Sequence, residues 1–239
     1  MIEVIGSEGN RWFRHEIWAY AGSAGDRVVA DAWLAHDPGP VVVAGHGAES
    51  DRRAQYLVGA AKAWARKGLS VVAADAPGHG ERLDPDQPPP SMRDIHRIPF
   101  VAQAAADIRS LAGIVLERFG GDTPLGYLGF SMGTQYGVPA VANEPRFRAA
   151  VFCIGGSTSL ALPVLFPSAD EATVAGVAEI DPVRRAPEIA PRPVLMVNAD
   201  HDEVFSRESA LALYDAFAPP KEISFFPGRH VEWTSPAQW

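Results

Sequence analysis

The chain has 239 residues, 47% of them hydrophobic, and carries a formal charge of −8 with one cysteine, Cys153. That length and apolar share suit one sizeable core, while the acidic balance argues against nucleic acid and anionic membrane surfaces as partners. A lone cysteine excludes an internal disulfide framework and a four-cysteine zinc site; with no basic-then-apolar start and no segment that reads as a membrane span, a reducing, cytoplasmic home is expected.

Strand-like and helix-like segments alternate along the chain. Residues 12–20 and 28–34 read as early strands, and the wholly apolar run Val41-Val42-Val43-Ala44 reads as a strand buried on both faces. Residues 52–66 have helical spacing through Tyr56, Leu57, Ala60, Ala61 and Trp64, with Gly68 as the stop. A strand follows over 69–74. Residues 82–99, with Pro85 and Pro88 to Pro90, read as a long irregular loop. The longest helix is predicted over 98–119, then a strand over 125–130, a helix over 134–143, and strands over 149–154 and 194–197. A helix over 207–217 and a strand over 222–226 close the pattern. Strand, crossover helix and strand in repetition predict an α/β fold: a mainly parallel twisted sheet with helices on both faces, in a single domain spanning 1–239. Residues 158–191 break the alternation and read as a small cap insertion, too short for its own core.

The feature that carries chemistry is Gly129-Phe130-Ser131-Met132-Gly133, placed after the apolar strand 125–130 and before a helix. A serine hydroxyl is a poor nucleophile unless it is exposed and has a base beside it. A tight strand-to-helix turn lifts it above the sheet, and glycines two residues away on each side relieve the crowding. Ligands in such sheets sit beyond the carboxyl ends of the strands. Two other glycine-rich turns follow predicted strands: Gly45-His46-Gly47-Ala48 and Asp75-Ala76-Pro77-Gly78-His79-Gly80.

These motifs together resemble the α/β-hydrolase superfamily, in its dienelactone hydrolase-like and related esterase members, over nearly the whole chain from about residue 28. The resemblance implies a Ser–Asp–His triad with Ser131 as nucleophile. Seven histidines compete for the role of base. His46 and His79 are rivals at the same sheet edge, but both precede the serine and fit glycine turns where they brace loops. His15, His36 and His96 read as surface residues. In the family order of serine, acid, histidine, His230 after the last strand is the base. The acid is Asp202 or Asp200 in Asn198-Ala199-Asp200-His201-Asp202; the family spacing, with Ala199 in place of its usual glycine and Val204 two places on, favours Asp202. The resemblance also implies an oxyanion hole built from the backbone amides of Ala48 and Met132.

No cofactor or metal is expected: the glycines spell no dinucleotide or phosphate-loop signature, and adjacent residues 200–202 on an extended chain point in different directions. Cys153, Trp18, Trp33 and Trp64 read as core, and Asp75 as a loop-holding carboxylate. Leu160, Leu165, Phe166 and Trp233 are candidate pocket residues. The predicted function is hydrolysis of a small to medium uncharged carboxylic ester through an acyl-enzyme. Lactones, thioesters, short peptides and perhydrolysis are alternatives on the same triad. A ligand-binding protein without catalysis is the alternative from a different class, and a fluorophosphonate probe separates it from an enzyme.

Overall fold

The computed structural model describes residues 1–37 and 39–230. The chain opens with three antiparallel strands, β1 (Glu3–Gly9), β2 (Phe13–Ala21) and β3 (Arg27–Ala35). Then come β4 (Val41–Gly45), α1 (Gln55–Ala65), β5 (Ser70–Ala74), the single turn α2 (Met92–Ile95) and the long α3 (Ile98–Phe119). The nucleophile-elbow sequence joins β6 (Leu125–Phe130) to α4 (Met132–Ala142), followed by β7 (Phe147–Cys153), α5 (Thr158–Leu165) and α6 (Glu171–Ile180). The chain continues with β8 (Val194–Ala199), α7 (Arg207–Ala216) and β9 (Lys221–Phe226). Among the described residues nine strands form one sheet in the order β1-β2-β3-β5-β4-β6-β7-β8-β9. From β5 to β9 every pairing is parallel, and β3 meets β5 antiparallel.

Alternation along the central strands builds two cores. Val41 and Val43 of β4 and Leu125 and Tyr127 of β6 face the larger core, which includes Ile108, Leu111 and Val115 of α3 and Val138 of α4. Val42, Ala44, Leu128 and Phe130 face the smaller one, closed by Leu57, Ala61 and Ala65 of α1. Both faces of the parallel block are therefore dry, which is why these strands read as unbroken apolar runs. Trp18, Trp33 and Cys153 are buried as expected, and Trp64 is half-buried.

Three sequence expectations need correction. β1 was not foreseen. It is an exposed edge strand whose pairing with β2 shifts register between Val4 and Gly6, and a bulge of that kind destroys the apolar alternation by which strands are recognised. The stretch 82–99 is not wholly irregular: α2 sits within it, held by a reciprocal capping box between Ser91 and Asp94. Finally, α3 is long and apolar enough by length and composition to cross a membrane. It is a core helix: Val101, Ala104, Ile108, Leu111 and Val115 form one buried stripe, with Gln103, Ser110 and Glu117 on the opposite face.

The segment read as a cap contains α5 and α6. They pack on each other, α5 also touches α7, and α6 leans on α3.

Candidate active site

Ser131 sits between β6 and α4 with φ 50° and ψ −110°, a strained conformation for a residue with a side chain. Its N–H donates to the Cys153 carbonyl at 2.9 Å, which pins the turn to β7. Gly129 and Gly133 are needed for space. A Cβ on Gly129 would lie 2.5 Å from the Gly133 carbonyl oxygen, and one on Gly133 would collide with the Gly45 carbonyl. The elbow therefore packs directly against the turn after β4.

The turn at the elbow aims Ser131 Oγ at His230 Nε2, 2.9 Å away. His230 Nδ1 lies 2.8 Å from Asp202 Oδ2. The carboxylate can only accept, so Nδ1 carries the proton and Nε2 offers its lone pair to the serine. Asp202 is held in turn: its Oδ1 accepts the amides of Val204 and Phe205, both at 2.8 Å. The His230 amide donates to Glu203 Oε2 at 3.0 Å. Asp200 does a different job. Its Oδ1 accepts the Gly228 amide at 3.1 Å, tying the end of β8 to the loop that carries His230. Of the two acids left open by the sequence, Asp202 is the one facing the imidazole.

Ala48 and Met132 both border the cavity in front of Ser131. Their amides make no hydrogen bond among the described residues. Met132 is the first residue of α4, where the helix dipole adds positive potential. Their loop is braced from behind. Gly47 N donates to the Tyr56 hydroxyl at 2.8 Å, and Ser50 Oγ donates to the Gly47 carbonyl at 3.0 Å. Arg52, predicted to begin a helix, instead ends this loop as a buried cation. Its Nε donates to Asp31 at 2.6 Å, its other nitrogens to Asp75 and Glu81, and its backbone N–H to Asp75 at 2.9 Å. Asp75 also accepts the Glu81 amide at 2.9 Å, the loop-holding role expected of it. Burial pushes the Asp31 carboxyl up, but the hydrogen bonds and charges of Arg53, Arg52 and His15 outweigh it and leave its pKa below the usual value.

The rival histidines support loops. His46 Nδ1 donates to the Gly47 carbonyl at 2.8 Å while Nε2 accepts the Ala76 amide at 2.9 Å. His79 donates to the Pro77 carbonyl at 2.9 Å. Burial pulls His46 down from 6.5 to about 4, and the nearby His79 adds to the effect. Protonation would turn Nε2 into a donor facing another donor. Because the folded pKa is depressed, the unfolded chain takes up a proton between pH 6.5 and 4 that the folded chain refuses, so stability falls as pH drops through that window. At 1.36 kcal/mol per unit this is about 3 kcal/mol. Urea titrations across that range should show the loss, and His46→Gln should flatten it. An equally steep dependence in the variant would show that other groups carry the acid sensitivity.

A cavity of about 450 Å³ opens in front of Ser131. Met92, Ile95, Phe130, Ile154, Leu165 and Phe205 give it apolar walls, with His96 and Gln135 among the polar groups. Of the three predicted pocket residues among the described residues, Leu165 lines it and Leu160 and Phe166 do not. Leu160 is 45% exposed on the outer face of α5. Phe166 faces a groove on the far side, where it borders Arg93, Pro99 and Thr173 and sets its ring edge against His96. Trp233 lies outside the described residues, as does Trp239. Met92 and Ile95 of α2 form a part of the wall that the sequence did not lead one to expect. The readable signal of α2 was the Ser91-x-x-Asp94 capping pattern, masked by the prolines before it. His96, expected on the surface, is 6% exposed. Among the described residues no cluster of three or more His, Cys, Asp or Glu side chains fits a metal ion.

A parallel sheet with a strained serine at the carboxyl end of a central strand, facing a histidine and a carboxylate brought in by later loops, defines an α/β-hydrolase. Within that class the chain belongs to the Hydrolase_4 family, described as serine aminopeptidase, S33, which matches residues 36–180. It is 27% identical over 194 residues to the esterase YjfP of Escherichia coli strain K12, covering 76% of each chain. Its backbone is similar to that of a cold-adapted esterase from an Arctic intertidal metagenomic library, with a TM-score of 0.71, 24% identity, and 96% and 91% of the two chains covered. It is also similar to acetyl xylan esterase 1 of a Thermoanaerobacterium species, with a TM-score of 0.73, 20% identity, and 96% and 82% covered. At those identities the structural likenesses speak for the fold.

Proposed function

We propose that this protein is a serine carboxylic-ester hydrolase that cleaves small to medium uncharged esters through an acyl-enzyme intermediate. The observation that carries the reading is the hydrogen-bonded chain Ser131–His230–Asp202 opening on an apolar cavity. All three of the relatives described above, one by sequence and two by fold, are named esterases, which supports the same choice.

In the proposed reaction Ser131 Oγ attacks the ester carbonyl carbon while its proton passes to His230 Nε2. The imidazolium so formed is stabilised by Asp202. The carbonyl oxygen becomes an oxyanion and takes hydrogen bonds from the amides of Ala48 and Met132, each worth about 3 kcal/mol in a dry site. Collapse expels the alcohol, which leaves with the proton from Nε2. Water then attacks the acyl-enzyme, gives a proton to Nε2, and the acid departs as Ser131 recovers its own. The same steps serve a lactone, a thioester or a short peptide. The cytoplasmic placement rests on cysteine usage: Cys153 alone offers no internal disulfide.

A fluorophosphonate probe should label wild-type protein rapidly at Ser131; unlabelled protein would favour a non-catalytic binder. In a panel of p-nitrophenyl esters, kcat/KM should rise about fourfold per added methylene over the first few acyl carbons, since each buries about 0.8 kcal/mol of apolar surface. It should then fall once the cavity is full. Aminoacyl and peptide nitroanilides belong in the same panel, and turnover of these above all esters would overturn the ester reading.

A further inference from the structure

Most polar side chains around the cavity have their hydrogen bonds taken up. Gln135 Nε2 donates to the Gly156 carbonyl at 3.3 Å and its Oε1 accepts the Thr158 hydroxyl. The Tyr56 hydroxyl and Ser50 Oγ are spent on each other and on Gly47. His96 differs. Its Nδ1 donates to the Met92 carbonyl at 2.7 Å, one turn back in α2. A carbonyl only accepts, so the proton is fixed on Nδ1 and Nε2 holds a free lone pair. Nε2 has no hydrogen-bond partner among the described residues, and the ring forms part of the cavity wall. The ring cannot easily turn away: Phe166 stands edge-on against it, ring centroids 5.4 Å apart at 82°. Burial lowers the pKa of His96, which keeps it neutral and accepting at pH 7.

The geometry points to His96 Nε2 as a specificity-determining acceptor that reads a hydroxyl or N–H donor on the substrate, within a cavity whose other walls are mainly apolar. The inference rests on the esterase reading above and refines it: the preferred esters carry one hydrogen-bond donor at the end of a short apolar stem. A buried acceptor left facing a methyl group costs more than an acceptor in water, so the site should discriminate against the isostere lacking the donor.

Two matched pairs test this on both sides of the scissile bond. One compares p-nitrophenyl 3-hydroxybutyrate with p-nitrophenyl 3-methylbutyrate. The other compares 3-hydroxypropyl butyrate with butyl butyrate. Wild type should prefer the hydroxyl member of one pair by about tenfold in kcat/KM, the size of one hydrogen bond between neutral groups. His96→Leu should erase that preference while still cleaving the apolar member, and His96→Gln, which retains an acceptor, should keep part of it. Equal rates for both pairs in wild type would overturn the proposal without any variant. So would a preference that survives in a folded His96→Leu protein. Absence of turnover on all four esters, with Ser131 unlabelled by fluorophosphonate, would instead overturn the esterase reading itself, and this inference with it.

Discussion

Ser131→Ala should slow hydrolysis of a short activated ester by about a millionfold, the loss typical when a triad nucleophile is removed. The hydroxyl is the only part of Ser131 that reaches His230, so the remaining rate comes from binding and from whatever the amides of Ala48 and Met132 do for a water attack. The fold should survive. The elbow is fixed by the backbone bond from Ser131 to Cys153 and by the close approach of Gly133 to Gly45, neither of which involves the hydroxyl. Stopped-flow or end-point assays with p-nitrophenyl butyrate, alongside circular dichroism in urea, read both quantities. Turnover near wild type from clean Ser131→Ala protein would remove Ser131 from the mechanism.

Asp202→Asn should lower kcat by about four orders of magnitude, and the local bonding explains why the damage would be so large. Asp202 Oδ1 accepts two amides, from Val204 and Phe205. In asparagine the carbonyl oxygen must take that place, because two N–H groups cannot face an NH₂. The amide nitrogen is then forced toward His230 Nδ1, which must become an acceptor. The imidazole proton moves to Nε2, and the base that Ser131 needs is gone. Asp200→Asn has no such consequence: Asp200 accepts the Gly228 amide, a bond that an asparagine carbonyl can replace. Its cost should stay within about tenfold, the size of a perturbed neutral hydrogen bond. Parallel kcat measurements settle the ranking, and a larger loss at position 200 would mean that the histidine loop takes its orientation from Asp200 instead.

What was legible in the sequence follows physical lines. The parallel strands read clearly because burial on both faces makes them continuous apolar runs, as in β4 and β5. Ser131 and His230 were legible because the elbow glycines and the loop after the last strand are local features. Asp202 was legible only to within one alternative, since Ala199 replaces the family's usual glycine and only the fold shows which carboxylate meets the imidazole. The pocket was read least well. A run such as Leu160 to Phe166 announces that it is apolar, but not which face of α5 turns inward; Leu165 does and Leu160 does not. α2 was hidden because four residues are too few for a helical period to emerge, although its capping box was written in the sequence. Arg52 was missed for a related reason. A cation before a helical stretch ordinarily reads as solvated, and only the fold brings Asp31 from β3, Asp75 from the end of β5 and Glu81 from the next turn around it.

That arrangement at Arg52 bears on when the molecule meets the cost of order. Drawing one cation and two carboxylates, Asp31 and Asp75, out of water is expensive and requires nearly ideal contacts, yet the expense falls once, as the chain folds. Thereafter the loop presenting Ala48 is held at its end by Arg52, whose backbone and side chain are anchored to two strands. An oxyanion formed beside it would meet dipoles already aligned, with little of the solvent-like reorientation that a looser loop would repeat in every cycle. Weakening the anchor would therefore reach catalysis through the entropy of activation, with loop disorder re-entering each turnover as a recurring loss.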